Sequence, residues 1–389
     1  MRVLHLIDGT GAAPAGGGDL DLAAGACGLA LRAGGDSHEV WLVGTAAAAR
    51  RLGGAGVGVS RIFSPPLGEP ALAWRGLRLA AAQHRGHVLQ CWGAAMLDLS
   101  RLAFPTNLAR VAVAERRPAG LVGAAAGWMG APVRSAILVC PEGAEERARS
   151  AYPGLEVMGA PPPCEAVETD ERGGLRRRLG LEPGEVALLL AGRSASAMRF
   201  VFLQGLLACA GQRVTGVMPA WASQMARGRR MRARAGRDVR MIVSDLPMAR
   251  LAAACDAGVL DPGGAGPTSH RQGPRGEAAW EAAPLVAAGL PTVAPEGLVG
   301  AGVMPGAAAG ACLAQNATLP ELARLLCPLL DDAGMRGTVG RELREHARAA
   351  GWGGRFVGVL VAAWKESLRA AKIGAPLPRA MFTSMGVQP

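Results

Sequence analysis

Read for its alternation of apolar and polar positions, the chain opens with an unbroken apolar run, VLHLI, that suits a strand buried on both faces. A glycine-rich stretch from Gly11 to Gly18 reads as a flexible loop. DLDLAAGACGLALRAGG then has helical spacing and stops at glycine, and HEVWLVG supplies the next strand. The pattern recurs in HVLQCWG with the helix AAMLDLSRLA, in the strand VAVAE, and in SAILVC with the helix EGAEERARSAY. In that last helix the acids lead and the bases trail, as the helix dipole prefers. LEVMGAPPPCEAVE reads as a passage between domains, its Pro161-Pro162-Pro163 extended and semi-rigid.

A second alternation follows, with the basic helix GGLRRRLG, a Pro183-Gly184 turn and the strand VALLLAG. Further strands are expected at VTGVM, MIVSD, AGVLD and PTVAP. TLPELARLLCPLLDD, MRGTVGRELREHARAAG and GGRFVGVLVAAWKESLRAAK are amphipathic helices, and a loose tail ends the chain. The expectation is an α/β protein of two doubly wound Rossmann-like domains, residues 1–163 and 164–350. A helix over 351–372 returns toward the first domain, and 373–389 is tail. Such pairs hold a ligand in the cleft between the domains, at the carboxyl ends of the strands.

Composition narrows this only in part. The 389 residues exceed one ordinary core, and 50% of them are hydrophobic, enough to bury two. The net charge of +11 is almost all arginine, since lysine occurs only at Lys365 and Lys372. That bias dilutes any glycine- or arginine-rich motif found by eye. A positive surface suits phosphorylated substrates, anionic lipid headgroups or nucleic acid. The densest run, Arg227 to Arg240, lacks interleaved aromatics and any nucleic-acid motif. A solvated helix face is its plainest reading, docking on an anionic membrane the next, and specific nucleic-acid reading the last.

The eight cysteines include no CxxC pair and read as buried free thiols of a reducing cytoplasm. His84 and His87 lie three apart without a further ligand nearby, so no structural metal is expected. The opening residues lack a signal-peptide pattern and no stretch suits a transmembrane helix. The expectation is a soluble, cytoplasmic protein, peripheral at the membrane if lipid is its partner.

The order of these segments resembles the family 4 glycosyltransferases, which have the GT-B fold. MRVLHLIDG with the helix after GGG resembles the family's opening strand, glycine loop and first helix. SAILVCPEGAEERARSAYPGLEVMGAPPP is similar to the end of its first domain, and LRRRLGLEPGEVALLLAGR to the start of its second. LVAAGLPTVAPEG and GWGGRFVGVLVAAWKESL resemble its final portion. The resemblance implies a UDP- or GDP-linked sugar donor, transfer with retention of configuration, and no metal or other cofactor. The acceptor would be a sugar or a lipid-linked or polysaccharide intermediate.

Site residues carry over unevenly. Gly16, Gly17 and Gly18 match the loop whose amides approach the diphosphate, and Arg193 matches the first phosphate-binding cation. The family's lysine slot falls on Met198, with Arg199 beside it as a substitute cation of different donor geometry. The two carboxylate slots of the family's Glu-x7-Glu motif fall on Gly276 and Pro284. Glu277 and Glu281 lie nearby, four apart on one helical face that Pro284 interrupts. They are expected either to contact donor hydroxyls or to be solvated acids at a helix start.

In the first domain the histidine slot falls near Ala114, followed by Glu115, and the His-rich turn falls on Gln90-Cys91-Trp92-Gly93. Trp92 either stacks on a sugar or packs in the core, and His270 is the weak candidate for the missing catalytic histidine. The expected function is sugar transfer from a nucleotide donor. The alternative is a GT-B binding or scaffold protein that has lost catalysis, and a nucleotide-sugar epimerase is more remote.

Overall fold

The computed structural model describes residues 1–10, 16–33, 36–65, 73–84, 86–105, 107–113, 136–165, 171–192, 197–220, 240–260, 275–295, 303–305, 308, 312–314 and 318–373. The chain divides into two compact units, Met1–Pro161 with Gly354–Pro389, and Pro162–Gly353.

The first unit runs β1 (Arg2–Gly9), α1 (Gly16–Arg32), β2 (Ser37–Gly44), α2 (Ala46–Gly54), β3 (Arg61–Phe63), α3 (Trp74–Gln83), β4 (Val88–Trp92) and α4 (Ala94–Ala103). It continues through β5 (Ala109–Val113), β6 (Ala136–Pro141), α5 (Glu145–Ala151) and β7 (Glu156–Ala160). The strands pair in parallel in the order β3-β2-β1-β4-β5-β6-β7. Winding therefore runs outward from β1 in one direction and from β4 in the other.

The second unit runs α6 (Arg172–Arg178), β8 (Ala187–Ala191), α7 (Ala197–Cys209), β9 (Thr215–Pro219), β10 (Met241–Ser244), α8 (Met248–Ala254) and β11 (Ala257–Leu260). Then come α9 (Arg275–Ala287), β12 (Thr292–Pro295), β13 (Leu313–Ala314), α10 (Leu319–Asp331) and α11 (Ala333–Ala350). Its sheet is parallel in the order β10-β9-β8-β11-β12-β13. The last helix, α12 (Trp352–Ile373), lies almost wholly in the first unit.

The physical reason for this architecture is legible in burial. β4, β5, β6, β8, β9 and β11 are buried at every position, as continuous apolar strands covered on both faces must be. In the first unit Leu4, Leu6, Trp41, Leu77 and Leu97 share one core. In the second, Leu188, Leu190, Phe200, Val286 and Leu326 share another. α12 is anchored to the first sheet by polar contacts. The Trp364 indole N–H donates to Gln90 Oε1 at 2.7 Å, and the Ser367 hydroxyl bridges the Arg110 backbone, accepting from its N–H and donating to its carbonyl.

Three expectations are corrected. Gly16–Gly18 form the first turn of α1 rather than the end of a loop. Residues 156–160, taken as part of the linker, are the edge strand β7. Pro284 does not interrupt its helix: α9 continues through it to Ala287, with Ala288 N–H reaching the Pro284 carbonyl at 3.1 Å. The run ends at Gly289, as the Gly289-Leu290-Pro291 sequence implies, at φ +67, where Leu290 N–H closes back on the Leu285 carbonyl. Among the described residues, no helix is long and apolar enough to cross a membrane.

Candidate functional site

In a doubly wound sheet, ligands bind where winding reverses, outside the carboxyl ends of the two strands that part there. In the second unit these strands are β8 and β11, registered with Leu260 opposite Ala191. Gly192, at φ +100, turns the chain out of β8 toward α7. The predicted cations follow from that exit. Arg193 lies outside the described residues, whereas Arg199 is the third residue of α7 and half-buried. Met198, in the lysine slot, is 37% exposed.

The chain leaving β11 carries His270, outside the described residues, and then α9. Glu277 lies in the first turn of α9, its side chain outside the description, and Glu281 is half-buried one turn on. The Trp280 side chain between them is buried. The fold thus sends the cationic segment and the acidic segment out from two adjacent strand ends, although they are some eighty positions apart in sequence.

The reversal in the first unit lies between β1 and β4, with Ile7 opposite Trp92. Gly16–Gly18 open α1, the helix that follows β1, so the first-turn amides, which a helix leaves without an intrahelical acceptor, belong to this strand end. Gly93, at φ +99, makes the matching exit from β4. Trp92 itself is packed rather than presented. It is 3% exposed, lies parallel to the His5 ring and donates its indole N–H to His5 Nδ1 at 3.1 Å.

That contact discloses polar residues the sequence reading passed over. His5 is fully buried on β1, and its Nε2 meets His38 Nδ1 at 2.9 Å. Because Nδ1 accepts from Trp92, His5 is neutral with its proton on Nε2, donating to His38. Burial, then the neighbouring His38, pushes the His5 pKa down to about 3. Burial also lowers His38, against the opposing pull of Asp36. The signal for His5 was present: one titratable residue inside VLHLI.

Ala114, Glu115 and most of the Arg227–Arg240 run lie outside the described residues. Arg240 is described and pairs with Glu185 at 2.8 Å.

No protein-family model matches this sequence, and no curated protein does. Solved structures match it along nearly its whole length. HepE from Anabaena, in complex with UDP and glucose, is 16% identical with a TM-score of 0.57, covering 95% of this chain and 100% of its own. Sucrose-phosphate synthase from Thermosynechococcus elongatus is 14% identical with a TM-score of 0.61, over the same shares. UDP-GlcNAc 2-epimerase from Neisseria meningitidis, bound to UDP-GlcNAc, is 11% identical with a TM-score of 0.53, covering 94% and 100%. The fold is GT-B, two parallel-sheet α/β units in one chain.

Proposed function

We propose that this chain is a glycosyltransferase that takes a sugar from a nucleoside diphosphate donor. The observation carrying the reading is the chain-long likeness to HepE, a structure that holds UDP and glucose. The β8–β11 reversal supports it with its two exits, one leading to Arg193 and Arg199, the other to Glu277 and Glu281. When the glycosidic bond breaks, the leaving diphosphate gains negative charge. Arg193 and Arg199 would meet it, Gly16, Gly17 and Gly18 would offer helix-start amides, and the glutamates would accept from donor hydroxyls. Retention of configuration, a lipid-linked or polysaccharide acceptor, an anionic membrane partner and metal-free transfer belong to the same reading.

The scaffold alternative keeps one specific support, since Met198 and Pro284 stand where the family has lysine and glutamate. The epimerase neighbour keeps isomerisation open as a third outcome. Thermal shift of the purified chain with UDP, GDP and their sugar conjugates tests the reading directly. A donor at a hundredfold excess over its Kd stabilises by about 2.7 kcal/mol. Arg193→Ala should abolish that shift and the acceptor-dependent release of nucleotide. Nucleotide-sugar conversion without acceptor would assign an epimerase, and no response to any nucleotide would leave the scaffold.

A further inference from the structure

The far end of the first sheet carries a second constellation that sugar transfer does not use. Side chains alternate across a strand, so Arg2 on β1, Ser37, Glu39 and Trp41 on β2, and Arg61 on β3 share one face. α3 covers that face but ends at Gln83, followed by His84. Past its end lies a cavity of about 360 Å³ lined by Arg2, Ser37, Glu39, Arg61, Gln83 and His84, with Trp41 at its floor.

Charge in this cavity is unbalanced. Among the described residues neither the Arg2 nor the Arg61 guanidinium has an acidic partner. Glu39, the one carboxylate in the lining, is already engaged: it accepts from the Trp41 indole N–H and lies 3.4 Å from His84 Nδ1. Arg61 is held 5.2 Å from the Trp41 ring centroid, a contact that orients a guanidinium without neutralising it. Trp41 is fully buried, so the ring is a fixed platform. Burial chiefly lowers the His84 pKa, against the opposing pull of Glu39, with Arg61 and Arg2 lowering it further.

We propose that this cavity binds a small oxyanion, a phosphate or carboxylate group on a compact polar metabolite, gripped between Arg2 and Arg61 with Ser37 as a further donor. Two guanidinium forks and a hydroxyl lining one cavity suit an oxyanion, and a cavity of this size admits a small metabolite. Arg2 and Ser37 stand at the amino ends of β1 and β2, roughly 23 Å along β1 from Gly9 at about 3.3 Å per residue, and Arg61 stands on β3 in register with Trp41, on the side of β1 away from β4. It is therefore a second site, independent of the donor reading.

Calorimetric titration of the full chain with inorganic phosphate, at ionic strength matched with chloride, tests it. Saturable phosphate binding should survive Arg193→Ala combined with Arg199→Ala, and should weaken roughly tenfold or more in Arg61→Gln. Arg2→Gln should give the same loss from the opposite wall, and unchanged melting temperatures without ligand will separate lost binding from lost folding. A phosphomonoester such as glycerol phosphate and a dicarboxylate such as malate then distinguish the two sources, the tighter naming the class. Absence of saturable binding, binding matched by chloride, or binding removed by the changes at 193 and 199 but untouched at 2 and 61 would overturn the proposal.

Discussion

His5 shows what one buried polar residue commits the fold to. A neutral imidazole held among Trp92, His38 and Trp364 must be protonated in the unfolded chain at acid pH, but not in the native state. The folded pKa, about 3, lies below the ordinary histidine value of 6.5, so its stabilising contribution is complete above 6.5 and is lost as pH falls toward 3. Chemical denaturation at a series of pH values should show this group costing about 1.4 kcal/mol per pH unit well below 6.5. His5→Leu should flatten that slope whatever it does to stability at pH 8, and a slope unchanged in the variant would assign the acid lability elsewhere.

Gly289 is a second commitment at this scale. Its φ of +67 disfavours any side chain, and an added Cβ would stand 2.5 Å from the Gly340 carbonyl oxygen on α11. Gly289→Ala should therefore cost about 2 kcal/mol or more, read as a lowered denaturation midpoint.

At the scale of elements, Arg110 ties the end of α4 and the segment after it to β5. It is fully buried on β5, and its guanidinium donates to the carbonyls of Phe104, Pro105 and Leu108 and to the Ser100 hydroxyl. It thereby caps the carboxyl end of α4, whose other end begins at the Gly93 exit. Burial lowers its pKa to about 10, which still leaves it charged at neutral pH. Arg110→Met keeps bulk but strands those acceptors, and should cost about 3 kcal/mol in equilibrium unfolding. α9 teaches a related lesson: its hydrophobic face carries it through Pro284, because Ala282, Ala283, Leu285 and Val286 are all fully buried. Tertiary packing outweighs a local breaker.

For the whole molecule, the consequence is that the first unit is not continuous in sequence. Gln90 and Arg110 receive their partners Trp364 and Ser367 from residues more than 250 positions later. A chain cut after Pro161 should therefore fail to fold cooperatively, and adding the α12 segment in trans should restore protection of β4 and β5 amides in hydrogen exchange. A truncated chain with native protection would show that α12 is dispensable.

Much of this fold was legible along the chain, because a strand buried on both faces must be apolar at nearly every position. VLHLI, VALLLAG and AGVLD show that pattern without help from any neighbour. The segments missed were those whose local signal is weak. β3 is three residues long and partly exposed, while β7 carries Glu156 and follows a glycine, so each owes its strand to the neighbour it pairs with. The candidate site divides in the same way. Segment order in the sequence pointed to a two-domain α/β protein and spacing picked out Glu277 and Glu281, while phosphate binding at Arg193 and Arg199 was implied by the family resemblance. Only the sheet order brought the exits of β8 and β11 side by side, since strand adjacency is a long-range pairing that local composition does not encode. The same long-range pairing buried Trp92 against His5, and set Arg2 and Arg61 around one cavity from opposite sides of β2.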